Sequence, residues 1–456
     1  MQSIHKVGNY MFDSERLIFY RSNLDSKMIE HINDCNMKYD RTKIDYFFEN
    51  NDFCNLNAKK KFPTHGVICL TNNCQLRCNY CNHSSVESDN CNLSPDKAIV
   101  FVKFLIKNSL MKKVVAESNK GIKLVFTGGG EPTYDWSLFV NVVTSVVDLC
   151  NRNNVELELT LSTNGILNDS QRDFIGKTFH EVMISFDGLP HIHDKNRFSE
   201  KYKNASAITE KTIEYMRKFN ISVHLRTTLW QEDLKYLNDM ANYIYSKYDF
   251  IDSWIMFPPY NRGRAAKISK QDHYEENEYN YFEYHLKLVK FIEENFENNK
   301  IVALLYGINS HVYNESFCGS HSISNPALLP NGDITTCMDL SKDLPIIGYV
   351  SDASVEMSED YCDSIMKMSK IKYYECKDCI AYPFCTGGCP IKFIADLDNE
   401  VKTSSWECKM ITNYWEHVFS RILEGEICFD WYTEKIVLPQ HENIHVYKMK
   451  KVGTTD

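Results

Sequence analysis

No apolar run in this 456-residue chain reaches the roughly 20 residues of a membrane span. The opening, MQSIHKVGNYMFDSERL, lacks the apolar core of a signal peptide. Together these absences predict a cytoplasmic protein with no membrane partner. There is also no internal repeat, no low-complexity block and no Pro/Gly-rich linker. Positive charge is in deficit, with 51 Lys and Arg against 61 Asp and Glu and a net charge of −10. That balance argues against a nucleic-acid partner held by a broad basic surface.

What remains is a chain of ordinary globular composition, 43% hydrophobic and 25% charged. Its length predicts two or three domains. The outlying feature is 17 cysteines. Disulfides are not expected in the cytoplasm, so clustered cysteines there read as metal ligands or catalytic groups. One group is the triplet Cys74, Cys78 and Cys81. The other runs from Cys318 to Cys408.

Residues 65 to 260 alternate strand and helix patterns. Strands are expected at His65–Leu70, Ile122–Thr127, Glu156–Ser162, Val182–Phe186, Ser222–Thr228 and Ser253–Met256. Helices between them include Pro95–Lys107, Trp136–Arg152, Ala205–Phe219 and Leu234–Tyr248. This alternation predicts an α/β fold, a parallel sheet or partial barrel. The strands carry one apolar and one polar face. Leu157, Leu159 and Leu161 alternate with Glu158, Thr160 and Ser162, and Val182, Ile184 and Phe186 with Met183, Ser185 and Asp187. Val223, Leu225 and Thr227 likewise alternate with His224, Arg226 and Thr228. The apolar face is expected against the helices, the polar face toward a barrel interior that holds a polar ligand. An antiparallel, half-exposed sheet is the alternative, but intervening helices suit parallel crossovers. Before the barrel, GNYMFDSERLIFYRSN reads as a β-hairpin followed by helical patterns. Tyr274–Asn298 reads as one long helix.

The triplet is spaced C-x3-C-x2-C, with Tyr80 before the last cysteine, straight after the first expected strand. A structural zinc site closes four ligands, and a cubane normally takes four thiolates. Three leave one iron open. This pattern resembles the radical S-adenosylmethionine (radical SAM) enzymes. The resemblance implies a partial (β/α)6 TIM-like barrel in which Cys74, Cys78 and Cys81 hold a catalytic [4Fe–4S] cluster. It further implies that the cluster's open iron binds S-adenosyl-L-methionine, whose reductive cleavage yields a hydrogen-abstracting 5′-deoxyadenosyl radical. Other stretches match the family in register. Gly129, Gly130, Glu131 and Pro132 match its GGEP motif, with Glu131 expected on the cofactor's ammonium. Ser162 and Asn164, in STNG, are expected near the ribose. Ser185, in SFDG, joins the cofactor set. Arg197 is expected on the methionine carboxylate and Tyr80 near the adenine.

The second group, Cys318, Cys337, Cys376, Cys379, Cys385, Cys389 and Cys408, resembles the SPASM extension of such enzymes, with two auxiliary clusters. Spacing alone leaves zinc as an alternative. Carried over by position, one cluster takes Cys376, Cys379, Cys385 and Cys408, and the other Cys318, Cys337 and Cys389. The latter is one thiolate short. It either has an open iron or borrows a ligand such as Cys362. Cys35, Cys54, Cys69, Cys91, Cys150 and Cys428 read as ordinary buried residues. The expected domains are 1–60, a small α+β region; 61–300, the barrel; 301–432, the cysteine-rich iron–sulfur (SPASM) domain; and 433–456, a tail.

The N-terminal hairpin and helices resemble the leader-peptide recognition module of peptide maturases, which binds its leader as an added strand. A simple cap on the barrel is the alternative. The resemblance therefore implies an oxidoreductase-type maturase. It would abstract hydrogen from a ribosomally made precursor peptide to form a thioether or carbon–carbon crosslink, with a ferredoxin or flavodoxin-type electron donor. Maturation of a whole protein by sulfatase-type oxidation is one alternative, although such relatives place an aspartate straight after the second SPASM cysteine. Here Met338 stands there, with Asp339 one later. A small-molecule radical dehydrogenase and an iron–sulfur electron-transfer protein are the others.

Overall fold

A computed structural model describes residues 63–83, 91–116, 121–257, 259, 264–265, 325–337 and 346–358. It also describes six short strands outside these ranges and helical positions at 412 and 416. Contacts divide the chain into two units. The first comprises Met1–Lys59, Asn280–Phe317 and Lys367–Asp456, and the second Lys60–Tyr279 and Cys318–Met366. In the first unit, β1 (Ile4–Val7), β2 (Tyr10–Asp13) and β3 (Ile18–Arg21) form an antiparallel sheet. The expected hairpin is its β2–β3 pair. The same unit contains β10 (Ile301–Ala303) and the hairpin of β15 (Cys428–Asp430) and β16 (Lys435–Val437). The helical patterns after β3, the long helix at 274–298 and the tail beyond 437 lie outside the described residues.

The second unit holds the six expected strands: β4 (His65–Ile68), β5 (Ile122–Phe126), β6 (Leu157–Thr163), β7 (Glu181–Ser185), β8 (Ser222–Thr228) and β9 (Ser253–Phe257). They pair in chain order, and every pair is parallel. This rules out the antiparallel alternative and is the strand order of the expected partial barrel. Helices cross between them: α1 (Pro95–Ala116), α2 (Trp136–Asn153), α3 (Asp169–Thr178), α4 (Pro190–Asn196), α5 (Ala205–Met216) and α6 (Leu237–Lys247). Among the described residues, no helix is long and apolar enough to cross a membrane.

The two faces of the sheet separate as the alternation predicts. Ile122, Leu124, Phe126, Leu159, Leu161, Val182, Ile184, Val223 and Leu225 are buried, each at 2% exposure or less. Phe126 meets Phe139 of α2 and Phe179 edge-on, with ring centroids 5.9 and 6.0 Å apart. Burial of such side chains stabilises the fold by about 1.5–3 kcal/mol each. The opposite face is a polar ladder. Lys123 on β5 pairs with Glu158 on β6 at 2.6 Å and Glu181 on β7 at 3.4 Å, and Glu181 also faces His224 on β8 at 3.6 Å.

Two elements differ from expectation. Helix α1 runs nine residues past the expected Lys107 to Ala116. Asn108 and Ser109, weak helix formers, are buried there and spend their side chains on the carbonyls of Pro63 (3.1 Å) and Gly121 (3.5 Å). The expected helix at Leu234–Tyr248 begins instead as a 3₁₀ turn, Gln231–Tyr236, that leads into α6. The sheet also continues beyond β4. Strand β11 (Ala327–Leu328) pairs parallel with β4, and β12 (Asp333–Thr335), β13 (Ile346–Val350) and β14 (Val355–Met357) follow antiparallel. Cys337 lies two residues after the end of β12 and is half-buried. The other six cysteines of the second group, and Cys362, lie outside the described residues. Cys69 and Cys150 are buried as expected, while Cys91 is half-buried. Cys35 and Cys54 lie outside the described residues.

Candidate active site at the carboxyl ends of the strands

In parallel α/β sheets, ligand sites form at the carboxyl ends of the strands. Here those ends carry the cysteine loop (71–83, after β4), the glycine turn (127–133, after β5), Thr163–Gly165 (β6), Ser185–Gly188 (β7) and Thr228–Trp230 (β8). The site is built by docking these loops on one another.

The glycine turn lies against the cysteine loop. The Gly130 N–H donates to the Thr71 carbonyl and the Glu131 N–H to that of Asn73, both at 2.8 Å. A Cβ on Gly130 would stand 1.9 Å from the Asn73 oxygen, and Gly129 has φ +64°. Only glycine fits this close, left-handed approach. The backbone that these glycines approach is that of the cysteine loop.

Glu131 is 4% exposed and ties three strand ends together. Its Oε1 accepts from the Thr133 N–H (3.2 Å), the Thr133 hydroxyl (2.7 Å) and the Thr163 hydroxyl (2.7 Å). Its Oε2 accepts the Asn164 N–H at 2.8 Å, which leaves that oxygen one further acceptor position. Burial raises its pKa and these four donors oppose the rise. Asn164 extends the bracket to the thiols. Its Nδ2 donates to Cys74 Sγ at 3.7 Å, and its Oδ1 accepts from Gln75 Nε2 at 3.2 Å. Ser162 and Ser185 are half-buried on the polar face, in register with Met183 and Arg226 respectively.

On the other side, Tyr80 is 8% exposed and its hydroxyl donates to Asp187 Oδ2 at 2.6 Å. Asp187 also takes both arms of the Arg197 fork, from Nε and Nη2 at 3.2 Å each. The guanidinium stands 5.3 Å from the centre of the Tyr80 ring. Burial works against the charge on Arg197, but Asp187 outweighs it and holds the group protonated. The fork expected on a methionine carboxylate is thus engaged with Asp187 in this structure, and only Nη1 stands outside the pair. Tyr80 packs with Trp230, Ala265 and Cys78.

Several residues that the sequence did not single out hold the cysteine loop. Asn79 bonds through its N–H to the Asn196 carbonyl (2.9 Å) and through Nδ2 to Asn196 Oδ1 (3.1 Å), and its Oδ1 accepts from Trp230 Nε1 (3.2 Å). Arg264 donates from Nε to the Cys78 carbonyl at 2.9 Å and from its N–H to that of Cys81 at 3.0 Å. An arginine in the run NRGR carries no periodicity that would have found it. Asp187 was visible only as a polar-face residue in the alternation and as part of SFDG.

The three thiols are half-buried, and Cys78 and Cys81 stand close enough to Cys74 to raise its pKa. Burial pushes Cys74 well up, and Cys78 and Glu131 add to it. Burial also pushes Cys78 up to about 11, with Arg197 opposing. Unligated, Cys74 and Cys78 are neutral thiols, and ligation must expel their protons. Among the described residues, no three Cys, His, Asp or Glu side chains converge as around a single ion. A cubane binds each thiolate to a separate iron, so its ligand sulfurs stand farther apart than those around one ion. Three thiols on one loop, with no fourth cysteine on that loop, fit a cluster with one iron left for another ligand.

The Radical SAM superfamily matches residues 68–244. A cysteine-type anaerobic sulfatase-maturating enzyme of Clostridium perfringens is 22% identical over 360 residues, covering 77% of this chain and 94% of that enzyme. Among solved structures, native anSMEcpe with bound AdoMet superposes with a TM-score of 0.58 at 20% identity, over 79% of this chain and 98% of the other. Streptococcus suis SuiB bound to the precursor peptide SuiA gives 0.51 at 14% identity, over 85% and 82%.

Proposed function

The chain carries a radical SAM domain over residues 68–244, and from that premise we propose that it is a peptide maturase of this enzyme family. It abstracts a hydrogen atom from a ribosomally made precursor peptide and forms a thioether or carbon–carbon crosslink. The observation that carries the reading is the three-thiol loop, docked at the carboxyl ends of six parallel strands against a glycine turn, Glu131, Asn164 and Arg264.

In this reading Cys74, Cys78 and Cys81 hold a [4Fe–4S] cluster, and Tyr80, Gly129, Gly130, Glu131, Ser162, Asn164, Ser185 and Arg197 surround S-adenosyl-L-methionine. When bound, that pair supplies one-electron reductive cleavage and hydrogen-atom abstraction. The protein's own part is positional. Glu131 fixes the β5 and β6 loops and keeps one acceptor position on Oε2 for an ammonium. Asn164 holds Cys74 from one side while Arg264 holds Cys78 and Cys81 from the other. Asp187 fixes Tyr80 and Arg197 together, which leaves Nη1 of Arg197 as the donor for a ligand carboxylate. The polar strand face accommodates a polar cofactor and peptide backbone. Cys337, with Cys318, Cys376, Cys379, Cys385, Cys389 and Cys408, is assigned to two auxiliary clusters.

The similarity to cysteine-type sulfatase-maturating enzymes favours a second reading, oxidation of one residue in a whole protein. Met338 in place of an aspartate after Cys337 weighs against it. SuiB, a structure bound to its precursor peptide, supports a peptide as substrate. The test is anaerobic reconstitution, reduction and measurement of 5′-deoxyadenosine, with the triple variant Cys74→Ala, Cys78→Ala, Cys81→Ala as control. The variant is expected to contain one cluster's iron less and to release no 5′-deoxyadenosine. Cofactor cleavage by the variant at the wild-type rate would remove the assignment. A candidate peptide that loses two hydrogens and in which tandem mass spectrometry finds a new covalent bond between two residues supports crosslinking. Oxidation without a crosslink supports the second reading.

A further inference from the structure

Helix α1 continues past Lys107, and its extension brings apolar side chains to the surface. Phe101 and Leu105 are buried against Gly66 of β4. Leu110 and Met111, farther along the same helix, are 44% and 41% exposed. They line a groove of about 620 Å³ together with Ile106, which is buried, and Leu149 of α2, which is half-buried. Exposed apolar residues scattered singly are ordinary. Two adjacent ones that shape a concave apolar groove between two helices have the form that receives an amphipathic helix.

The charge on this groove is of one sign and is left unmatched. Lys103 and Lys107 line it, both exposed, and no acidic residue does among the described residues. Four residues apart on a helix, the two lysines lie on one face, one turn from each other. Neither has a carboxylate partner among the described residues. The other helices of the barrel behave differently. Every lysine of α3 to α6 is paired: Lys177 with Asp173, Lys195 with Glu232, Lys211 with Asp169 and Lys247 with Glu210. On α2, Arg152 faces Asp148. In a chain with a net charge of −10, two unpaired lysines beside an apolar groove leave a local positive site open to carboxylates from outside.

We propose that the groove between α1 and α2 is a docking site for an acidic amphipathic helix of a partner protein. Apolar side chains of that helix fill the space against Ile106, Leu110, Met111 and Leu149. Its carboxylates, one turn apart, meet Lys103 and Lys107. Two other occupants fit the groove less well. A second copy of this chain, related by a two-fold axis through the groove, sets these lysines against the same lysines. A membrane surface is served by protruding apolar side chains and not by a concavity, and the acidic chain as a whole is repelled by anionic lipid. The inference stands apart from the reaction proposed above, since none of these residues belongs to the site at the carboxyl ends of the strands.

The test uses the reconstituted full-length protein and a fluorescein-labelled synthetic helical peptide as the probe, with leucines along one stripe and glutamates one turn apart beside it. A second peptide carries lysine in place of each glutamate. Binding is followed by fluorescence anisotropy at low and high salt. The wild type is expected to bind the glutamate peptide and to prefer it over the lysine peptide by about tenfold or more at low salt, a preference that shrinks at high salt. Reversing both charges, Lys103→Glu with Lys107→Glu, is expected to invert the preference, a gain of binding that no misfolded variant would show. Leu110→Ser with Met111→Ser is expected to weaken the glutamate peptide at both salt concentrations. These four side chains are exposed, so the far-UV circular dichroism is expected to match the wild type. No binding of the glutamate peptide, or equal affinity for it in all variants, would overturn the proposal. Self-association of the wild type that Leu110→Ser with Met111→Ser abolishes in sedimentation velocity would give the groove to a second copy and overturn it. Co-sedimentation with phosphatidylglycerol vesicles that the same variant abolishes would give it to a lipid surface and overturn it too.

Discussion

Arg264 reaches across 186 residues of sequence to donate from Nε to the Cys78 carbonyl at 2.9 Å, while its own N–H donates to the Cys81 carbonyl at 3.0 Å. One residue thereby fixes the backbone on both sides of Tyr80. Carbonyls held this way cannot swing inward, so the two thiols keep their spacing before any iron arrives. Preorganisation of this kind is what distinguishes a ligand loop from three cysteines that happen to be near in sequence.

Replacing Arg264 by alanine is therefore expected to loosen the centre without unfolding the sheet. Loss of a hydrogen bond to a charged group typically costs about 1.5–3 kcal/mol. Release of iron to a chelator should quicken at least severalfold, while far-UV circular dichroism stays as in the wild type. Lysine, which lacks the planar fork, should restore retention only in part. Chelation kinetics equal to wild type for Arg264→Ala would show that the Nε bond to the Cys78 carbonyl has no positioning role.

Gly130→Ala is expected to abolish cluster assembly. The new Cβ would lie 1.9 Å from the Asn73 carbonyl oxygen, so either the glycine turn or the cysteine loop must move. Both are backbone, and neither can yield as a side-chain tip would. Iron content after reconstitution checks this, and a full complement in the variant would mean that the turn relaxes without disturbing the thiols.

Glu131→Gln places an amide where four donors converge. Either oxygen position taken by the amide NH2 faces an N–H or hydroxyl donor. A buried donor left without an acceptor costs about 1–3 kcal/mol. The variant is expected to lose stability of that order in urea unfolding, and to bind S-adenosyl-L-methionine more weakly. Unchanged stability with weakened binding would mean that the carboxylate serves the ligand alone. The reverse result would mean that it serves the fold alone.

The acid limb of stability is expected to involve Asp169, the first residue of α3. Hydrogen bonds from Lys211 and then Arg172 lower its pKa below the ordinary carboxylate value. A depressed carboxylate contributes stability that is fully present above its unfolded pKa and is lost as pH falls through the folded one. Urea midpoints of wild type and Asp169→Asn should therefore differ at neutral pH and converge as pH falls below the ordinary aspartate range. A constant difference across that range would assign the effect to something other than ionisation.

The sequence by itself determined the local grammar of this protein. The six parallel strands, the faces they present and the positions of the cysteine triplet and glycine turn follow from period-two alternation, helical spacing and short motifs. Each of these operates within a few residues, so each survives in a one-dimensional record. The β2–β3 hairpin was legible for the same reason, since its two strands are joined by a short connection. What only the tertiary structure decided is how the loops hold one another. Asn79 meets Asn196 across 117 residues and Trp230 across 151. Glu131 finds its acceptor role on Thr163 and Asn164 of the next strand. Arg197 turns its fork on Asp187, and β11 joins the edge of β4 from more than 250 residues away. These pairings depend on which strand ends a parallel sheet sets side by side, and no periodicity in the chain encodes that neighbourhood.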